Sequence, residues 1–271
     1  MTNRRVSLFL IAGIILFAAG IILFLKISTV PMRPILPSEI PYDDLRSATP
    51  PSVAEATGSP EASLIPRSSP GPSRGEDAPK TSLPDALNLK IPFTPQAPHA
   101  NWEAPYKEFC EEASALMTAA YLTGKDIPNA EYADAELRRI ESFELDRFGY
   151  YEDTSASETA IILQEHFGIS SVALMRNPTI DDMKRALAEG KAIIMPAAGK
   201  ELGNPYFHQP GPLYHMIVIK GYTADGMFIT NDPGTRRGAD FLYPPDVLLS
   251  AMGDWNGTDV DVTQKVIIIA G

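Results

Sequence analysis

The sequence predicts an α+β domain carried behind an apolar N-terminal segment and a proline-rich stretch. Three observations predict it. Helix signals gather in the earlier part of the domain, strand signals dominate the later part, and an Asp-Gly turn joins two of the strand runs. The chain has no internal repeat.

Arg4 and Arg5 precede an unbroken run from Val6 to Leu25 in which Ser7 is the clearly polar member, and Lys26 follows. A helix of that length spans about 30 Å, the hydrocarbon thickness of a bilayer. Residues 1–26 are therefore expected to form a single-pass membrane anchor, with the short basic tail inside and the remainder outside the cytoplasm. A cleavable signal would have a shorter apolar region and a small-residue exit, which Ile27-Ser28-Thr29-Val30-Pro31 does not provide.

Residues 27–88 hold 12 of the chain's 25 prolines, among Ser, Ala, Gly and scattered charges. Such a stretch buries too little apolar surface to offset its conformational entropy, so a disordered tether is expected. Residues 89–271 have the composition of one globular domain. They carry the chain's net charge of −11, because the +3 of residues 1–26 and the −3 of residues 27–88 cancel. So acidic a domain is a poor partner for nucleic acid.

Within the domain, a helix is predicted from Cys110 to about Thr123. Ala113, Leu116, Met117, Ala120 and Tyr121 form its apolar face, and Gly124 stops it. Ser155 with Glu158 reads as a capping box opening a helix that ends at Gly168, and Thr179 opens another that ends at Gly190. Strands are predicted over Ser171–Met175, Lys191–Met195, His215–Tyr222, Met227–Asn231, Asp240–Tyr243 and Lys265–Ile269. The turn Thr223-Ala224-Asp225-Gly226 makes a hairpin of the third and fourth.

Cys110 is the single cysteine of the chain, and it opens the first domain helix. Unpaired N–H groups and the macrodipole at a helix N-terminus favour an anion, which suits a nucleophilic thiol. His215 begins a strand, and the hairpin returns Asp232 to its level. A thiol, an imidazole and a carboxylate in that order are the parts of a nucleophilic triad. Gln96, in Pro92-Phe93-Thr94-Pro95-Gln96-Ala97-Pro98, and the main-chain N–H of Cys110 are the candidate oxyanion donors. Against activation, Glu108, Glu111 and Glu112 crowd Cys110, and carboxylates oppose a thiolate. Tyr214, Phe207 and Trp255 are candidate substrate-binding aromatics. His99, His166 and His208 have no metal-ligand spacing with Cys110 or with each other, so neither a metal nor another cofactor is expected.

The segments Pro92–Pro98, Cys110-Glu111-Glu112-Ala113-Ser114, Tyr214–Tyr222 and Asn231-Asp232-Pro233-Gly234-Thr235-Arg236-Arg237-Gly238 resemble the papain-fold cysteine peptidases related to the bacteriocin-processing, double-glycine leader peptidases. The resemblance spans roughly Lys90 to Gly271 and is closest to the stand-alone, membrane-associated bacterial branch, the peptidase family thirty-nine-like domain. It implies a papain-like fold with N-terminal helices packed on an antiparallel sheet. It also implies roles: Cys110 as nucleophile, His215 as base and then acid, Asp232 as its orienter, and Gln96 as oxyanion donor. No nucleotide-binding Gly-x-x-x-x-Gly-Lys-Ser/Thr motif follows, so ATP-driven export is not expected. The expected substrate is a peptide or another amide. Two rivals remain open: a thiol acyltransferase, and a catalytically silent module that binds peptides.

Overall fold

In a computed structural model, residues 34–47 and 83–271 are described. The predicted anchor Val6–Leu25 and residues 48–82 of the predicted tether lie outside them. Among the described residues no helix is long and apolar enough to cross a membrane.

A sheet of seven antiparallel strands organises the domain: β1 (Leu87–Asn88), β2 (Val172–Arg176), β3 (Ala192–Ala198), β4 (Tyr214–Tyr222), β5 (Phe228–Asn231), β6 (Phe241–Tyr243) and a last strand from Val266 to Ala270. A short separate hairpin pairs β7 (Asp254–Trp255) with β8 (Val260–Asp261), which makes the last strand β9. The main order is β2-β9-β3-β4-β5-β6, with β1 added beside β4. All six predicted strands are present, within a few residues at their ends. The chain's last strand, β9, inserts between β2 and β3. Its run Val266-Ile267-Ile268 and the β3 run Ala192-Ile193-Ile194-Met195 are buried, as strands covered on both faces must be.

Among the described residues seven α-helices accompany the sheet: α1 (Tyr42–Ser47), α2 (Cys110–Leu122), α3 (Ala130–Arg147), α4 (Ala156–Ile161), α5 (Ile180–Ala188), α6 (Gly199–Leu202) and α7 (Pro245–Ala251). Helices α2, α4 and α5 are the three predicted. Both capping boxes form: Ser155 N–H donates to Glu158 Oε2 at 2.8 Å, and Thr179 N–H to Asp182 Oδ2 at 2.9 Å. Helix α2 is buried along almost its entire length, from Cys110 to Tyr121, because it lies between the sheet and α3. Helix α3 was not predicted, although its signals are present. The Asn129 side chain caps it by accepting from Tyr132 N–H at 2.8 Å, and Ala133, Leu137, Ile140 and Glu144 share its buried stripe. An acid on that stripe conceals the periodicity.

Residues 37–47 correct the expectation of a tether reaching to residue 88, because they belong to the same compact unit as the domain. Ile40 pairs in parallel with Leu89, and its N–H donates to Asn88 O at 2.7 Å. The Tyr42 ring meets Tyr121 edge-on, Leu45 covers the backbone at Gly190, and Glu39 Oε1 accepts from the buried Lys220 ammonium at 2.6 Å. Lys220 Nζ also donates to Asp240 Oδ1 at 2.9 Å. Proline-rich composition hides this strap, since its Ile40, Tyr42 and Leu45 are too sparse to read as an element before the surface they fit is known.

The strap supplies partial burial of three large side chains and half the charge partners of a buried lysine, together about 3 kcal/mol. Deleting residues 37–47 should therefore lower the melting temperature by roughly 6–12 °C, measured by calorimetry, with the sheet signature in circular dichroism retained.

Candidate active site

The β4–β5 hairpin places the first two groups. Its turn closes as predicted, with Thr223 N–H donating to Met227 O at 2.9 Å. Val218 pairs with Asn231 and Ile219 with Thr230, but the register shifts between Ile219 and Gly221, leaving Lys220 as an extra residue. This bulge has a large consequence. Continued past the end of β5, the shifted register sets His215 opposite Gly234 and diagonal to Asp232, on one face; without it Asp232 would fall on the other face.

His215 Nε2 and Asp232 Oδ1 are 2.8 Å apart, and both side chains are sealed from solvent. Gly234 N–H donates to the same Oδ1 at 3.0 Å, while Tyr243 Oη–H and Asn204 Nδ2–H donate to Oδ2 at 2.7 and 2.9 Å. Burial by itself would push the Asp232 carboxyl up. The His215 charge and the hydrogen bonds from His215, Tyr243 and Asn204 outweigh it and hold the group below its ordinary value. An ionised Asp232 accepts the proton on Nε2, which leaves Nδ1 as the ring nitrogen available to a thiol. The Phe207 ring stands edge-on to His215 at 5.2 Å, and a Cβ added at Gly234 would lie 2.8 Å from His215 Cε1. Glycine is required there for the turn to close on the ring. Asn204 and Tyr243 escaped the sequence reading: they come from separate loops and strands, and a lone Asn or Tyr carries no spacing signal.

Cys110 is the first residue of α2, where main-chain N–H groups have no intrahelical acceptor. Ser114 of the same helix donates to Met216 O at 3.3 Å, tying α2 to β4 next to His215. Cys110 and His215 line one cavity of about 1030 Å³, together with Gln96, Trp102, Tyr206 and Arg237 among others. The sulfur is buried, with Glu111 Oε2 at 3.0 Å. Burial pushes the thiol well up, and the Glu111 carboxyl adds to this, while the Met216 N–H directed at the sulfur opposes both.

Gln96 lines the cavity, but the predicted oxyanion role needs correction. Its amide nitrogen donates to Tyr106 O at 3.0 Å and to Lys107 O at 2.8 Å, so both protons are engaged. Its main-chain N–H donates to Pro233 O at 3.0 Å. Gln96 thus fastens the turn before Cys110 to the turn after Asp232. Phe207 and Tyr214 also line the cavity. The Tyr214 hydroxyl is turned away into the protein, donating to Thr154 O and Asp254 Oδ1, each at 3.2 Å. Trp255 is displaced from the cavity of Cys110. It packs on Tyr214 at 5.6 Å and lines a neighbouring cavity of about 560 Å³ with Tyr150 and Glu158. Of the other histidines, His208 lines the main cavity and His166 packs between Phe143 and Phe167.

A thiol at a helix start and a sheet-borne imidazole–carboxylate pair thus line one cavity. The chain belongs to the Peptidase_C39 like family, whose model matches residues 88–249. Among solved structures it is similar to a protein from Bacillus anthracis described as a candidate C39-like peptidase, at 14% identity and a TM-score of 0.43, covering 67% of this chain and 94% of that one. No curated protein sequence matches the chain.

Behind the sulfur lies a second cluster of buried acids. Glu111, Glu112 and Glu144 are sealed from water, and burial raises all three carboxyls, Glu144 to about 8. The unfolded chain releases the Glu144 proton at pH ~4.3, whereas the folded protein holds it to about 8, so the folded state binds more protons and loses stability as pH rises from about 4.5 to 8. Chemical denaturation should show wild-type stability falling by about 2–4 kcal/mol over that range, with Glu144→Gln flattening the slope.

Proposed function

We propose that this protein is a cysteine peptidase or related amide hydrolase working through a Cys110-His215-Asp232 triad and a thioester intermediate. The observation that carries the reading is the sealed His215–Asp232 pair on the wall of the cavity that also holds Cys110. His215 Nδ1 takes the thiol proton, and the sulfur attacks the carbonyl carbon of the scissile amide. The imidazolium then protonates the leaving amine, and water, deprotonated by His215, resolves the thioester. The charge that develops on the carbonyl oxygen falls to main-chain N–H groups at the start of α2, Gln96 being committed elsewhere. Family membership supports peptidase activity in general.

A screen of synthetic peptides and peptidoglycan fragments tests this. Cys110→Ala should abolish turnover with folding and binding retained, and His215→Ala should lower kcat/KM by a thousandfold or more. Asp232→Asn should cost roughly a hundred- to ten-thousandfold, since an amide would turn protons toward Asn204 or Gly234. Equal processing by wild type and Cys110→Ala, or binding without turnover across the set, would favour the silent peptide-binding module.

The second part of the proposal concerns location. Arg4, Arg5, the apolar run Val6–Leu25 and Lys26 support a single-pass anchor with the catalytic domain outside the cytoplasm. In spheroplasts, a protease site inserted between residues 48 and 82 should be cut from outside, and the domain should stay on the membrane until denaturant releases the strap. Cleavage only after permeabilisation would reverse the orientation.

A further inference from the structure

The triad leaves one contact of its own nucleophile unused. Glu111 Oε2 lies 3.0 Å from Cys110 Sγ, in a site where both residues are buried, and the other oxygen, Oε1, has no hydrogen-bond partner. None of the ion pairs formed among the described residues includes Glu111, Glu112 or Glu144. The groups facing Glu111 are acids or neutral: Cys110 and Glu112 on its own helix, Glu144 from α3, Asp153 from the loop before α4, and Tyr214 from β4. Glu112 and Glu144 face each other, and Glu144 also meets Thr154.

A carboxylate and a thiolate 3.0 Å apart, with no Lys or Arg ion-paired to the acid among the described residues, repel each other strongly, and the imidazolium formed on His215 offsets only one of the two negative charges. Either the acid keeps its proton and serves the sulfur, or it ionises and keeps the sulfur protonated. Burial raises Glu111 well above the carboxylate range and the neighbouring acids Asp153 and Glu144 add to it, outweighing the hydrogen bonds from the Cys110 thiol and the Glu111 main-chain N–H, which lower it. A neutral carboxyl is a donor, and a donor aimed at sulfur favours the anion.

We propose that Glu111 is a fourth catalytic residue: as a neutral carboxylic acid it donates a hydrogen bond from Oε2 to the Cys110 sulfur and stabilises the thiolate. The inference rests on the reading of Cys110 as nucleophile. The proton balance is simple. The S–H bond breaks, Nδ1–H forms on His215, and the Glu111 proton stays on Oε2 throughout, bridging to the sulfur. When attack turns the sulfur into a thioester the bridge weakens, and it re-forms as the thiolate leaves. Above the pH at which Glu111 ionises, the same side chain opposes the thiolate, so the site carries its own alkaline limit.

Because Cys110 is the single cysteine, alkylation of the full-length protein in detergent by iodoacetamide reports on this sulfur alone. Glu111→Gln keeps a neutral donor, and its alkylation rate at neutral pH should stay within about threefold of wild type. Glu111→Ala should lower that rate about tenfold or more. At alkaline pH the wild-type rate should fall below that of Glu111→Gln. An infrared band of a protonated carboxyl group, present in wild type at neutral pH and reduced in Glu111→Gln, checks the protonation state independently should Glu111→Ala fail to fold. Neutral-pH alkylation at least tenfold faster in Glu111→Gln, an infrared difference showing Glu111 ionised, or a folded Glu111→Ala with an unchanged profile would each overturn the proposal. Alkylation needs no substrate. Failure to find peptide turnover alongside the expected profiles would count against the peptidase reading and leave the Glu111 contact standing.

Discussion

A carboxylate sealed from water is tolerable only when donors meet its oxygens, and Asp232 is the group around which this domain closes. Its four partners arrive from four places: His215 from β4, Gly234 from its own turn, Tyr243 from β6 and Asn204 from the loop after α6. Removing any one leaves a buried charge under-satisfied, which costs more than the contact itself is worth. The same requirement fixes the tautomer of His215. Stability and chemistry are therefore coupled at one residue.

The bulge at Lys220 is the geometric counterpart of that constraint. One extra residue in β4 slips the register so that Asp232 comes to the face of His215, and the extra residue brings a lysine into the protein that must itself be neutralised. Asp240 supplies one partner and Glu39 of the strap the other. The N-terminal strap is thus linked, through the ion pair of the partly exposed Glu39 with the buried Lys220, to the irregularity that aligns the site. On the other side of the cavity, Gln96 joins the turn before Cys110 to the turn after Asp232, so Cys110 and the His215–Asp232 pair are located by a hydrogen-bonded bridge as well as by the helix and sheet.

The acids behind Cys110 follow a different logic. Glu111, Glu112 and Glu144 occupy positions where apolar side chains would stabilise the fold, and burial raises all three carboxyls, Glu144 to about 8. Their cost is spread over the whole domain, while the contact they make possible is with one sulfur atom. Such a local conflict between polarity and burial is the usual mark of a site retained for chemistry.

Helices α2, α4 and α5 were legible because their caps and apolar spacing are local, and the six strands because β-rich runs end in recognisable turns. Helix α3 was missed through Glu144, whose charge contradicts the stripe it lies on, and the strap through sparse apolar residues in proline-rich sequence. Cys110, His215 and Asp232 could be singled out because a unique thiol, a strand start and a hairpin are all short-range features. Asn204 and Tyr243 could not, nor could the commitment of the Gln96 amide to Tyr106 and Lys107, since each depends on which loops meet. The sequence by itself determined three of the helices, six of the strands, their order and the residue types able to carry thiol chemistry. The tertiary structure alone decided the insertion of β9 between β2 and β3, the docking of residues 37–47 and the face on which Asp232 falls. Local propensity acts over a few residues, whereas register and burial are settled only when distant segments compete for the same surface.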